Sequence, residues 1–207
     1  MIEILSKKLV VFASGTGTTF EFLIESVKRG QIDADIVALF SDRPKSGAVE
    51  KAEKYGIMVY MVRQNRLKDI GDEINNSLKQ INPDLIILAG YNRILPEKIV
   101  DSYSFRIINT HPSLLPCFGG HGMYGLNVHR AVIESGAKIS GCTVHFVNRN
   151  IDEGPIIDQS TVEVRDDDTP EILQERVKKE EKVILIRAVN NILSKKIHVS
   201  GKRVSFS

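Results

Sequence analysis

The sequence predicts an α/β protein: a doubly wound, mainly parallel sheet with an antiparallel strand pair in its C-terminal half. Three observations carry that prediction. Short continuous apolar runs alternate with amphipathic stretches through the first hundred residues, the pattern of parallel strands buried on both faces. A loop rich in glycine and threonine follows the first run, and in open α/β sheets that loop faces the ligand crevice. Past residue 109 the rhythm changes to two long strand candidates with a short connection.

The elements follow in order. Lys8–Ala13, Asp35–Phe40, Ile57–Val62, Asp84–Ala89 and Arg106–Asn109 read as strands. Between them, Thr18–Arg29, Ser46–Tyr55, Leu67–Gln80 and Pro96–Tyr103 read as helices, with Gly56 as a stop signal and Pro83 as a breaker. Asn109–Asn127 is a loop rich in Gly and Pro, and Leu126–Ser135 a short helix. Lys138–Val147 and Pro155–Val164 should pair antiparallel. Thr169 caps a helix with Pro170 at its first position, running to about Leu193. The tail, Lys195–Phe206, predicts a hairpin turning at Ser200–Gly201. A single domain is expected over 1–207, with a Rossmann-like half at 1–108, a second half at 109–193 and the hairpin at 194–207.

Composition excludes several classes. The 207 residues carry 28 Lys and Arg against 26 Asp and Glu, a net charge of +2, so there is no basic footprint for nucleic acid. Cys117 and Cys142 make neither a disulfide scaffold nor a zinc cage. His111, His121, His129 and His145 lack metal-ligand spacing, so no metal is expected. No apolar run approaches the roughly 20 residues of a membrane span, and the N-terminal residues lack a signal peptide's features. A cytoplasmic protein, monomer or homodimer, is expected.

Four groups of residues carry chemistry. In Ser14–Thr19 (SGTGTT), Gly15 and Gly17 let the backbone approach a phosphate, and the following helix supplies N–H groups. Thr16, Thr18 and Thr19 add hydroxyls. Gly17 is not followed by Lys, and Phe20 stands where a dinucleotide fingerprint needs its third glycine. A simple monophosphate cradle fits better; a turn used only for tight packing is the alternative. Asn109 and His111 end a strand and share one face of it. Their N–H groups would stabilise an oxyanion at a carbonyl, or they form a structural hydrogen-bonded pair. Asp152 lies between two strands. Beside a histidine it would favour the imidazolium; it also suits a plain turn. On the last helix, Leu173, Val177, Ile184 and Ala188 form an apolar stripe, with Glu181 at its margin and Lys178 three residues earlier. The pair would bind a ligand or form a surface ion pair.

Asn109–Pro116 (NTHPSLLP), preceded by Ala89–Leu95 (AGYNRIL) and followed by Gly141–Val147 (GCTVHFV) and Ile151–Ile157 (IDEGPII), resembles the formyltransferase family that uses 10-formyltetrahydrofolate. The resemblance runs from about Lys8 to Leu193. The Ser14–Thr19 loop and the Lys178/Glu181 pair are similar to the branch whose acceptor is glycinamide ribonucleotide. The resemblance implies formyl transfer to the acceptor's glycine amine, giving N-formylglycinamide ribonucleotide and tetrahydrofolate in purine biosynthesis. It implies that Asn109 and His111 stabilise the oxyanion and that Asp152 keeps His111 protonated. Gly15, Gly17, Thr18, Thr19 and Lys178 would hold the phosphate, and Glu181 the ribose. Folate would lie against Arg66, Asn92, Arg93, Ile94, Leu95, Asn109 and Val147. Three departures stand out: Thr19 where Asn is common, Asn92 where an apolar Met is usual, and a longer loop at Cys117–Val128.

A formyltetrahydrofolate hydrolase shares the catalytic trio but usually carries an N-terminal regulatory domain, for which a first strand at residue 8 leaves no room. A methionyl-tRNA formyltransferase would need a C-terminal RNA-binding domain and a basic surface. A non-catalytic nucleotide-binding module leaves Asn109, His111 and Asp152 unexplained.

Overall fold

The computed structural model describes residues 6–62 and 70–207. The chain forms two compact units, one up to Ile108 and one from Asn109 to Ser207. The tail hairpin is part of the second.

The first unit contains β1 (Lys8–Phe12), α1 (Thr18–Lys28), β2 (Asp35–Ser41), α2 (Gly47–Lys54), β3 (Met58–Met61), α3 (Ile70–Ile81), β4 (Leu85–Leu88) and α4 (Glu97–Ser102). β5 (Ile107–His111) begins in it and ends in the second unit. Its strands lie in the order β3-β2-β1-β4, with β1 parallel to both β2 and β4, and β2 parallel to β3. The order reverses between β1 and β4, and such a reversal opens a crevice beyond the strand ends.

The sequence explains this sheet. Leu9 to Phe12 have no exposed surface, nor have Leu85 to Ile87. Each such side chain contributes ~1.5–3 kcal/mol of transfer free energy. Phe12, Phe40 and Tyr60, on three adjacent strands, stack with ring centroids 4.7 and 4.8 Å apart. α2 starts at the Ser46 cap, whose hydroxyl accepts the Val49 N–H. Pro96 proves to be the residue before α4 rather than its first. The start expected at Leu67 for α3 lies outside the described residues.

The second unit contains the end of β5, α5 (Leu126–Glu134), β6 (Ile139–Phe146), β7 (Ile156–Glu163), α6 (Pro170–Ser194), β8 (Ile197–Ser200) and β9 (Arg203–Phe206). β6 lies beside β5 and runs antiparallel to β7. β9 joins β7 in parallel and β8 antiparallel. α6 buries Leu173, Val177, Ile184 and Ala188 as the stripe predicts, and Leu185 and Val189 widen it. The Thr169 hydroxyl caps its N-terminus by accepting the Ile172 N–H. No helix among the described residues is long and apolar enough to cross a membrane.

Candidate active site

The loop after β1 is shaped by close backbone contact. Gly17 precedes α1 in the left-handed region, φ 71°. A β-carbon there would lie 2.6 Å from the Ala48 Cα, so glycine is required twice over. The Ala48 N–H donates to the Gly15 carbonyl at 3.2 Å. Lys51 donates to the Thr16 carbonyl at 2.9 Å and pairs with Glu21 at 3.2 Å. In a trans peptide the C=O and the next N–H point oppositely. With the Thr16 carbonyl turned toward Lys51, the Gly17 N–H faces away from it. Thr18 and Thr19 open α1, where backbone N–H groups have no intrahelical acceptor. Lys51 was not legible as part of this loop, because it is remote in sequence and looks like an ordinary helix-surface cation.

After β4, Asn92, Arg93 and Ile94 are exposed, Ile94 at 71%, while Leu95 is buried. The Leu95 side chain packs into the core. Arg93 pairs with Asp42. Arg66 lies outside the described residues.

The second unit brings Asn109, His111 and Asp152 together. Asn109 and His111 come from β5, and Asp152 from the loop before β7. Asp152 is itself left-handed, φ 57°, a conformation that costs a non-glycine residue free energy. Its Oδ2 lies 3.4 Å from His111 Nδ1 and accepts the Gly120 N–H at 2.9 Å. His111 Nε2 lies 2.8 Å from the Phe118 carbonyl. A carbonyl only accepts, so this nitrogen carries a proton. Nε2 and the Asn109 amide are thus both engaged within the protein.

A fourth residue completes the cluster. His145, on β6, is 2% exposed. Its Nδ1 lies 2.9 Å from the Phe146 carbonyl and so donates to it. Burial holds the ring's pKa below the ordinary histidine value, despite that bond and nearby Asp152. In the neutral ring Nε2 is bare, and it accepts from the Asn109 amide at 3.2 Å. Asp152 Oδ1 lies 3.7 Å from the same nitrogen. His145 thereby fixes which way the Asn109 carboxamide points. The sequence signal was weak: a histidine in an apolar strand looks like core.

Neighbouring contacts hold the frame. The Thr143 hydroxyl donates to the Ser113 carbonyl at 2.7 Å and accepts the Leu115 N–H at 3.0 Å. The Gln159 amide donates to the Leu115 carbonyl and to Thr143, both at 3.0 Å. Leu115–Pro116 is cis. Val147 is half-buried just beyond β6.

On α6, Lys178 pairs with Glu175 at 2.8 Å rather than with Glu181. Glu175 is also three residues away and wins the contact. Part of Glu181 remains accessible, yet burial of its carboxyl pushes it up to about 7, against the pull of Lys178 and Lys182. His129, on α5, is pushed down to about 4 by burial and by Lys178 and His111. Cys117 is exposed and Cys142 buried, both free thiols. Among the described residues no group of three His, Cys, Asp or Glu is set to hold a metal.

Residues 7–189 match the formyl transferase family. The chain is 40% identical over 196 residues to the chloroplastic phosphoribosylglycinamide formyltransferase of Arabidopsis thaliana, across 92% of this chain and 67% of that one. It is 35% identical over 176 residues to the phosphoribosylglycinamide formyltransferase of Bacillus subtilis, across 84% and 88%. The crystal structure of glycinamide ribonucleotide transformylase 1 from Symbiobacterium toebii superimposes with a TM-score of 0.88, at 32% identity over 97% of this chain and 94% of that one.

Proposed function

Because the chain belongs to the formyl transferase family, we propose that it moves the formyl group of 10-formyltetrahydrofolate onto the amine of glycinamide ribonucleotide. The observation that supports this most directly is the cluster of half-buried Asn109 and Asp152 with buried His111 and His145, in which Asp152 oxygens lie 3.4 and 3.7 Å from the two imidazoles. It suits acyl transfer: donors for a developing oxyanion, backed by one carboxylate.

The amine lone pair attacks the formyl carbon, and the C=O π pair moves onto oxygen. Asn109 and His111 hold that oxyanion. Collapse re-forms the carbonyl and breaks the bond to the folate nitrogen, which takes a proton as it leaves. The amine loses one proton, relayed through water with help from Asp152. In this reading His111 Nε2–H transfers its bond from the Phe118 carbonyl to the oxyanion, and His145 aims the Asn109 amide. Asp152 stabilises the imidazolium.

Binding follows the same division. Gly15, Gly17, Thr18 and Thr19 receive the phosphate on backbone N–H groups and hydroxyls, and Lys178 adds charge. Glu181 contacts the ribose. Asn92, Arg93, Ile94, Leu95, Val147 and Asn109 meet the folate. Folate is a co-substrate, and no metal takes part. The chain works as a single domain in the cytoplasm, as a monomer or homodimer.

Absorbance at the folate chromophore tests the reading. Tetrahydrofolate should appear only when 10-formyltetrahydrofolate and glycinamide ribonucleotide are both present. Release without the ribonucleotide indicates a hydrolase, and no release a binding module; either overturns the proposal.

A further inference from the structure

The loop after β1 and the start of α2 fit against each other at four points. A β-carbon on Gly17 would lie 2.6 Å from the Ala48 Cα, and one on Gly47 would lie 2.6 Å from the Thr16 carbonyl oxygen. The Ala48 N–H donates to the Gly15 carbonyl at 3.2 Å. Lys51 donates Nζ–H to the Thr16 carbonyl at 2.9 Å. Lys51 stands four residues after Gly47 and three after Ala48 on α2, so the three share one face of the helix. That face moulds the Gly15-Thr16-Gly17 backbone. Two glycines allow the approach, and two hydrogen bonds hold it.

The Lys51 bond fixes the orientation of one peptide plane. The Thr16 carbonyl and the Gly17 N–H belong to the same planar unit, so holding the oxygen on α2 sets the direction of the N–H. Gly17 is left-handed and leads directly into α1, and successive N–H groups in such a turn converge on a concavity that suits an anion. Among the described residues the Gly17 N–H has no acceptor. An ammonium on the carbonyl also polarises the peptide, which strengthens its N–H as a donor. Lys51 has a second contact, with Glu21 of α1 at 3.2 Å; the two side chains are 21% and 35% exposed. A partly exposed ion pair contributes little by itself. The carbonyl bond is the contact that reaches the loop.

We propose that Lys51 is a positioning residue for the acceptor's phosphate: by holding the Thr16 carbonyl, it turns the Gly17 N–H into the cradle. This rests on the reading that Ser14–Thr19 receives that phosphate. Lys51 touches neither substrate and acts through the Thr16–Gly17 peptide.

Steady-state kinetics on two acceptors, glycinamide ribonucleotide and the same molecule without its phosphate, provides the test. Lys51→Met keeps the length and helix propensity of the side chain but removes the donor. It should raise KM for glycinamide ribonucleotide about tenfold, the scale of one hydrogen bond to a charged group. KM for 10-formyltetrahydrofolate should stay within about twofold, as should kcat/KM for the acceptor without phosphate. Lys51→Arg keeps a charged donor and should recover most of the loss. Glu21→Gln removes the ion pair but leaves the Thr16 bond, and it should not raise KM for the ribonucleotide. If the Met variant does not fold, Lys51→Gln serves in its place, with the loss again confined to the phosphorylated acceptor. A brace between α1 and α2 predicts otherwise: Glu21→Gln would match Lys51→Met, and both acceptors would lose equally. Either of those results, or an unchanged KM for the ribonucleotide, overturns the inference and leaves the functional reading intact. A wild-type chain that transfers no formyl group overturns both.

Discussion

At the scale of single residues, the site is a set of histidines made different by their surroundings. His111 carries its Nε2 proton toward a carbonyl and faces Asp152 with Nδ1. His145 is kept neutral by burial and turns a bare nitrogen to Asn109. Replacing Asp152 by Asn removes the charge that both rings face. The expected result is a rate lower by about 10²-fold or more, the usual scale for a group in acid–base work, with an unchanged unfolding temperature. An unchanged rate would take Asp152 out of the mechanism. His145→Leu removes the acceptor that orients Asn109. It should lower kcat by about 10²-fold, as for a lost oxyanion donor, with little change in either KM; a KM effect alone would assign His145 to binding. Asn109, His111 and Asp152 were legible as candidates because polar residues at a strand end and in a tight loop stand out against apolar runs. Their distances were not legible. His145 became visible only with β6 placed beside β5.

At the scale of elements, two positions link backbone to chemistry. A β-carbon on Gly154 would lie 1.6 Å from the Phe146 carbonyl, the oxygen that fixes the His145 tautomer. Gly154→Ala must move that carbonyl. It should destabilise the protein by about 1–3 kcal/mol, as overpacking does, and lower kcat too; calorimetry and kinetics together would show whether the two losses travel together. Glu181 on α6 makes a pH prediction. Its pKa is raised from 4.5 to about 7, so the folded chain resists ionisation that the unfolded chain accepts. Below pH 4.5 both states hold the proton and there is no effect. Between there and pH 7 the cost grows, and above pH 7 it is constant. Glu181→Gln should therefore raise the unfolding temperature at pH 8 and leave it unchanged at pH 4. Equal effects at the two pH values would contradict the placement of this carboxyl. The elements themselves were largely legible, since continuous apolar runs and the Thr169–Pro170 start carry their own physical causes. Helix ends and ion-pair choices were less so: Lys178 had two acids at equal spacing, and only the side-chain geometry of α6 selects Glu175.

At the scale of the whole molecule, net charge was silent about function, because the groups that matter are local. Both substrates of the proposed reaction are anionic, yet a net charge of +2 suffices. In the proposed reading a few oriented N–H groups, Lys178 and Arg93 would serve in place of a basic surface. The central claim is direct transfer of a formyl group between two bound substrates, and isotope tracing tests it most directly. With 10-formyltetrahydrofolate labelled by ¹³C in the formyl carbon and unlabelled glycinamide ribonucleotide, NMR should find the label bonded to the acceptor's glycine nitrogen. Label recovered as free formate, with the ribonucleotide unchanged, would contradict the account.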